Sequence, residues 1–216
     1  MSSLLQQLSD ESRSLVDQAR PVVLCVAAGK ATPRTGLLIA PGEVVTIARM
    51  ARPGEPVPVH GPAGEVSGEV VGFDAPSGLA LLSAPELTGS VVQADALPQV
   101  GQLGVTVACP TPGGHEARLS MIRCVGGPTR LPTGRRVAAY LQTDATRFRG
   151  FRGAVLFDSH GAALALTIPT GPRDEGFLLP MSLVAEITDE LKSGGERGVG
   201  YLGVQTTPVE LPAPAD

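Results

Sequence analysis

Leu141-Gln142-Thr143-Asp144-Ala145-Thr146-Arg147-Phe148-Arg149-Gly150-Phe151-Arg152-Gly153-Ala154-Val155-Leu156-Phe157 is the stretch around which the chain is organised. An apolar strand from Val137 to Leu141 leads into a loop that carries Arg147, Arg149 and Arg152, and a second apolar strand, Ala154 to Phe157, follows at once. Gly150 and Gly153 let the backbone turn tightly and leave amide groups free to point at a ligand. That shape suits a loop in which a nucleophilic side chain sits on a sharp turn beside an oxyanion hole. Yet no Ser, Cys or Thr stands between the two glycines, and Arg152 does.

Working outward, the chain of 216 residues has 27 Gly and 20 Pro against two Tyr, five Phe and no Trp, the composition of many short strands joined by tight turns. Its formal net charge of −4 provides no global basic field to draw it to nucleic acid or to an anionic membrane, so neither partner is expected. Cys25, Cys109 and Cys124 lack CxxC spacing and nearby histidines, which argues against zinc and for buried free thiols; no cofactor is expected. The N-terminus lacks a basic segment followed by an apolar one, and no run reaches membrane-spanning length. With Met1 as the true start, a cytoplasmic protein is expected.

Residues 3 to 19 read as a helix, with Leu4, Leu8, Leu15, Val16 and Ala19 near one face and Pro21 beyond its end. Strands follow at Val22–Ala28, Gly36–Ala40, Val44–Ala48, Glu65–Phe73 and Leu79–Ser83, bounded by Gly, Pro and Asp turn chemistry. After a polar, proline-bearing connection, a second series reads Leu103–Cys109, Ala117–Val125, Val137–Leu141, Ala154–Phe157, Ala162–Ile168 and Gly176–Pro180. A helix from Ser182, its expected N-cap, to about Lys192 closes the set, and Gly200-Tyr201-Leu202-Gly203-Val204 reads as one more strand. No helix falls between strands, so paired antiparallel barrels fit better than any parallel sheet.

The order of motifs resembles the HtrA (DegP-like) family of trypsin-like serine proteases over roughly residues 12 to 204. The resemblance rests on Gly36-Leu37-Leu38-Ile39-Ala40-Pro41, Val71-Gly72-Phe73-Asp74, Leu79-Ala80-Leu81-Leu82 and Gln142-Thr143-Asp144-Ala145, then on Gly176-Phe177-Leu178-Leu179-Pro180 and Tyr201-Leu202-Gly203-Val204. It implies an all-β fold, a chymotrypsin/trypsin-like double β-barrel with an N-terminal and a C-terminal helix and the cleft between barrels. The implied division is an N-terminal helix over 1–20, a first barrel over 21–88, a connection over 89–101, a second barrel with its helix over 102–193 and a tail over 194–216. Family members carry a PDZ domain after the motif matching Tyr201-Leu202-Gly203-Val204; either that domain lies beyond this chain or the protein lacks one.

Carried over residue by residue, the family's catalytic histidine falls on Arg49, or with a one-residue shift on the equally inert Met50. The aspartate falls on Gly78 and the nucleophile on Arg152. Acyl transfer needs a nucleophile, a base and a group that orients the base. Arginine stays protonated in proteins, so it can neither accept the proton nor attack a carbonyl, and glycine offers no side chain. The resemblance therefore implies an inactive pseudoprotease that binds a protein or peptide partner. Its binding set is Arg49, Arg147, Arg149, Gly150, Phe151, Arg152 and Gly153, an arginine-lined former cleft for an acidic peptide, a carboxyl terminus or a phosphate. Phe148 and Phe151 either anchor the partner or pack into the second barrel. The N-terminal helix either packs on its own barrels or makes a homo-oligomer contact, since family members often assemble as trimers. The alternative is an active serine endopeptidase with an unrecognised triad, in which Ser77, Ser120 or Ser159 meets one of His60, His115 and His160; the last two are expected in turns.

Overall fold

A computed structural model describes residues 3–27, 32–47, 55–94, 97–131, 134–144, 151–168 and 177–194. Helix α1 (Leu4–Ala19) starts where Ser3 caps it, its hydroxyl accepting the Gln6 amide at 3.2 Å. Only the C-terminal half of its apolar face is packed. Leu15 and Ala19 are buried, whereas Leu4 is 81% exposed.

Six strands close the first barrel: β1 (Val23–Val26), β2 (Arg34–Ala40), β3 (Glu43–Ile47), β4 (Pro56–Gly61), β5 (Gly64–Asp74) and β6 (Leu79–Ser83), in the order β1-β2-β3-β6-β5-β4. All pairings are antiparallel. Although the resemblance puts His60 on an outer strand, where it stands, β4 is not read from the local pattern, because Pro56 and Pro58 argue against a strand in a sheet interior. It is tolerated because β1 pairs only with its far end, Cys25 opposite His60 and Val26 opposite Val59. Along Pro56–Gly61, Val57 and Val59 alternate into the core.

The second barrel joins β7 (Leu103–Thr111), β8 (Gly114–Gly126), β11 (Tyr140–Thr143), β12 (Val155–Phe157), β13 (Ala163–Thr167) and β14 (Phe177–Pro180), in the order β11-β14-β13-β12-β7-β8. The 13-residue β8 closes it by pairing with β7 along most of its length and with β11 at its far end. The single strand expected from Val137 to Leu141 is two. Arg136–Val137 (β10) pairs with Thr129–Arg130 (β9) in a separate ribbon, and the chain resumes at Tyr140 inside the barrel. Tyr140 stacks on Phe177, ring centres 4.6 Å apart. Helix α2 (Met181–Gly194) begins one residue before Ser182, so that residue is not its cap.

One apolar cluster runs through both barrels and both helices, holding Leu15, Val23, Leu37, Val45 and Leu81 with Val107, Phe157, Leu166, Leu179 and Ile187. The barrels thus share a core. Among the described residues no helix is long and apolar enough to cross a membrane. Arg49, Met50, Arg147, Phe148, Arg149, Gly150 and the strand expected at 200–204 lie outside the described residues.

Candidate functional site

The turn that the resemblance matches to the family's nucleophile is built by the second barrel. Ala154 N donates to Phe151 O at 3.0 Å, Gly153 N donates to Thr167 O at 3.0 Å, and Thr167 N donates to Ala154 O at 2.9 Å. The Thr167 hydroxyl donates to Phe151 O. These bonds lash Phe151–Ala154 to β13, so the Gly153 amide, expected to be free for an anion, is already engaged. Phe151 is buried against Ala108 and Ala154. It fills the barrel and is no exposed anchor for a partner, which decides between the two roles open to it. Arg152, between these packed neighbours, is exposed.

The first barrel presses on the same turn. Gly153 has φ +83°, and a Cβ there would stand 2.6 Å from Thr35 O on β2. Only glycine accepts both conditions without strain. The residue before Thr35 is Arg34, half-buried and near enough to Arg152 to feel its charge. Burial first, and then the neighbouring Arg152 guanidinium, lower the Arg34 pKa below its ordinary value. Among the described residues no carboxylate pairs with either guanidinium. Arg34 was not among the residues expected here, since a charged side chain at a strand start reads as a solvated edge.

Gly78, which the resemblance matches to the family's aspartate, closes the turn between β5 and β6 with φ +76°. Its amide donates to Asp74 O at 2.8 Å. The carboxylate of Asp74, at the start of the same turn, is 1% exposed and already occupied: one oxygen accepts the Ser77 amide at 2.9 Å, the other the Arg135 guanidinium at 2.9 Å.

The three serines of the alternative triad meet no imidazole. Ser77 Oγ accepts the Leu79 amide, Ser120 Oγ lies 3.2 Å from Thr106 Oγ1, and Ser159 is exposed in its turn. His60 on β4 pairs with Glu65 at 3.6 Å, and His160 is exposed. His115 corrects the expectation of a turn. It stands on β8, half-buried, with Nε2 donating across the seam to Val23 O at 2.9 Å and Nδ1 buried without a partner. No hydrogen bond among the described residues joins a serine hydroxyl to any of these rings. The arrangement offers two guanidinium groups close enough to interact, over a packed, hydrogen-bonded floor, and guanidinium groups pair with carboxylate or phosphate in forked contacts.

No protein-family model matches the sequence. A probable periplasmic serine endoprotease, DegP-like, from Pseudomonas fulva (strain 12-X) is 28% identical over 148 residues, which is 65% of this chain and 30% of that protein. The chain thus spans less than a third of that relative's length. Among solved structures, the fold is similar to Deg5, with TM-score 0.73 and 20% identity over 88% of this chain and 98% of that one. The inactive form of the Rv3671c protease from M. tuberculosis H37Rv gives TM-score 0.71 at 22% identity, covering 82% and 92%. The serine endoprotease from Yersinia pestis gives 0.69 at 21%, covering 85% and 67%. Likeness in sequence and in fold runs to the HtrA/DegP-like trypsin-like serine proteases, to which the motif order points.

Proposed function

We propose that this HtrA-like chain is a catalytically inactive pseudoprotease that works as a protein-interaction module and takes an acidic peptide or other anion at its arginine-lined former cleft. The observation that carries the reading is the exposed Arg152 at the nucleophile position, beside the half-buried Arg34. A guanidinium cannot attack a carbonyl, and Gly78 has nothing with which to orient a base. Two like charges side by side repel, and that repulsion is relieved when a divalent or forked anion bridges them. Whatever rate such a cleft retains comes from binding and backbone dipoles alone.

The purified protein, offered a serine-directed phosphonate probe and a peptide library, is expected to show neither labelling nor turnover. Labelling abolished by replacing one serine overturns the inactive half of the reading. For the binding half, titration calorimetry with an acidic peptide is expected to give heat that Arg152→Ala reduces about tenfold in affinity, the value of one charge-assisted contact. An unchanged affinity in Arg152→Ala and Arg34→Ala alike removes the cleft from the function.

A further inference from the structure

Cys25 and Cys109 belong to different barrels, yet they meet in the seam. Both are buried, 0% and 1% exposed, within the apolar cluster the barrels share. Cys25 on β1 pairs with Thr35 on β2, and the Thr35 hydroxyl accepts the amide of Cys109 on β7 at 2.9 Å. Thr35 thus lies beside both cysteines, and the Cys109 thiol, which donates to Thr111 O at 3.2 Å, interacts with Cys25 strongly enough to shift both thiols. The third cysteine, Cys124, is half-buried elsewhere, opposite Gln142 on β11.

We propose that Cys25 and Cys109 form a peroxide-oxidisable pair that closes into a disulfide joining the two barrels beneath the cleft. The thiols are unequal. The hydrogen bond from Cys25, helped by the Gly113 amide, lowers the Cys109 pKa below the ordinary thiol value against the opposing effect of burial. The same hydrogen bond, then burial, then the charge of Cys109 push Cys25 far up. Cys109 is therefore the more acidic of the two thiols, the one that reacts first once it loses its proton, and Cys25 is the thiol that resolves. The Cys109 sulfur attacks one oxygen of hydrogen peroxide; the O–O bond breaks, a sulfenic acid forms and hydroxide leaves. Hydroxide takes the Cys25 proton, the Cys25 sulfur attacks the Cys109 sulfur, the S–O bond breaks and the second oxygen leaves as water once protonated. Two thiols and one peroxide give one disulfide and two waters, the sulfurs losing the two electrons that the peroxide gains. Burial restricts the reaction to an oxidant about as small as water.

Position gives the bond a consequence. Thr35, the neighbour of both sulfurs, presses its carbonyl on Gly153, and Arg34 precedes it. Drawing β1 and β7 together acts on the backbone that spaces Arg34 from Arg152.

The test is a peptide map of the full chain after a hydrogen peroxide pulse under native conditions, with no partner present, so its outcome does not depend on what the cleft binds. Expected is a Cys25–Cys109 linked peptide lighter by two hydrogens, reversed by dithiothreitol and still formed by Cys124→Ser. In Cys25→Ala, a dimedone adduct is expected on Cys109. A chain that keeps both thiols under a pulse that oxidises Cys124, a link made through Cys124, or Cys109 passing to sulfinic acid without a link each overturns the proposal; the wild-type map decides this even if a variant fails to fold.

Discussion

At Gly153 a methyl group would have to sit 2.6 Å from the Thr35 carbonyl oxygen while the backbone holds φ +83°. Gly153→Ala is therefore expected to cost about 2–4 kcal/mol, the sum of a left-handed alanine and a backbone clash. Gly134 supplies the control: its φ is +99° with open space around it, so Gly134→Ala should cost only about 1 kcal/mol. Equal losses in denaturant melts of the two variants would mean that the barrels do not press on the turn. The place of Arg152 on a tight turn was legible because flanking glycines and motif order put it there. The nearness of Arg34 was not, since it depends on which barrel edge faces which loop, and local pattern carries no such information. Phe151 shows the same limit. Its burial depends on Ala108, a residue far away in the chain whose small side chain leaves the space.

Arg135, just before β10, ties three elements together. One guanidinium nitrogen donates to Asp74 at the end of β5 at 2.9 Å, the other to Glu190 on α2 at 3.2 Å. The Asp74 side chain is 2% exposed and that of Arg135 17%, so removing the arginine strands a buried carboxylate. Arg135→Ala is expected to lower stability by about 3 kcal/mol, read as a fall in urea midpoint at constant slope. Glu190→Gln, at the more exposed end, should cost under about 1 kcal/mol. A second tie joins α2 to β3: Lys192 Nζ lies 2.7 Å from Glu43, whose hydrogen bond chiefly raises the lysine pKa above its ordinary value. A raised folded pKa means that the pair's contribution is complete below the unfolded value and disappears as pH climbs through the folded one. Lys192 is 39% exposed, so solvent screening keeps the contribution small. Lys192→Gln should lose under about 1 kcal/mol at pH 7, and the gap to wild type should close as pH rises through the lysine's raised pKa. A gap unchanged at high pH would show that the ammonium charge is irrelevant. At this scale most elements were legible from turn residues and alternation. Pro56–Gly61 was hidden because its prolines read as strand breakers, and Val137–Leu141 read as one strand because two apolar pieces serving different sheets are separated only by Ala138 and Ala139.

For the molecule as a whole, motif order carried the double barrel further than any single stretch, while the way the barrels join was invisible in it. The seam consists of contacts between residues distant in sequence: Cys109 N on Thr35 Oγ1, His115 Nε2 on Val23 O, and a cluster that holds side chains from β1, β2, β3, β6, β7, β12, β13 and β14 together with both helices. Neither barrel can open without exposing that cluster, because its side chains have no other cover. Unfolding is therefore expected as one cooperative event, with calorimetric and van't Hoff enthalpies equal and with intrinsic tyrosine emission and far-UV dichroism tracing one curve. Thr35→Val sharpens the test. It keeps the shape of the side chain but leaves the buried Cys109 amide without its acceptor, a loss of about 1–3 kcal/mol. In a chain of this size the midpoint should fall by roughly 2–10 °C while the transition stays single. If the seam were incidental, the variant would instead split the melt in two, one barrel surviving the other, and two transitions in the wild type would already be enough to refute the shared core.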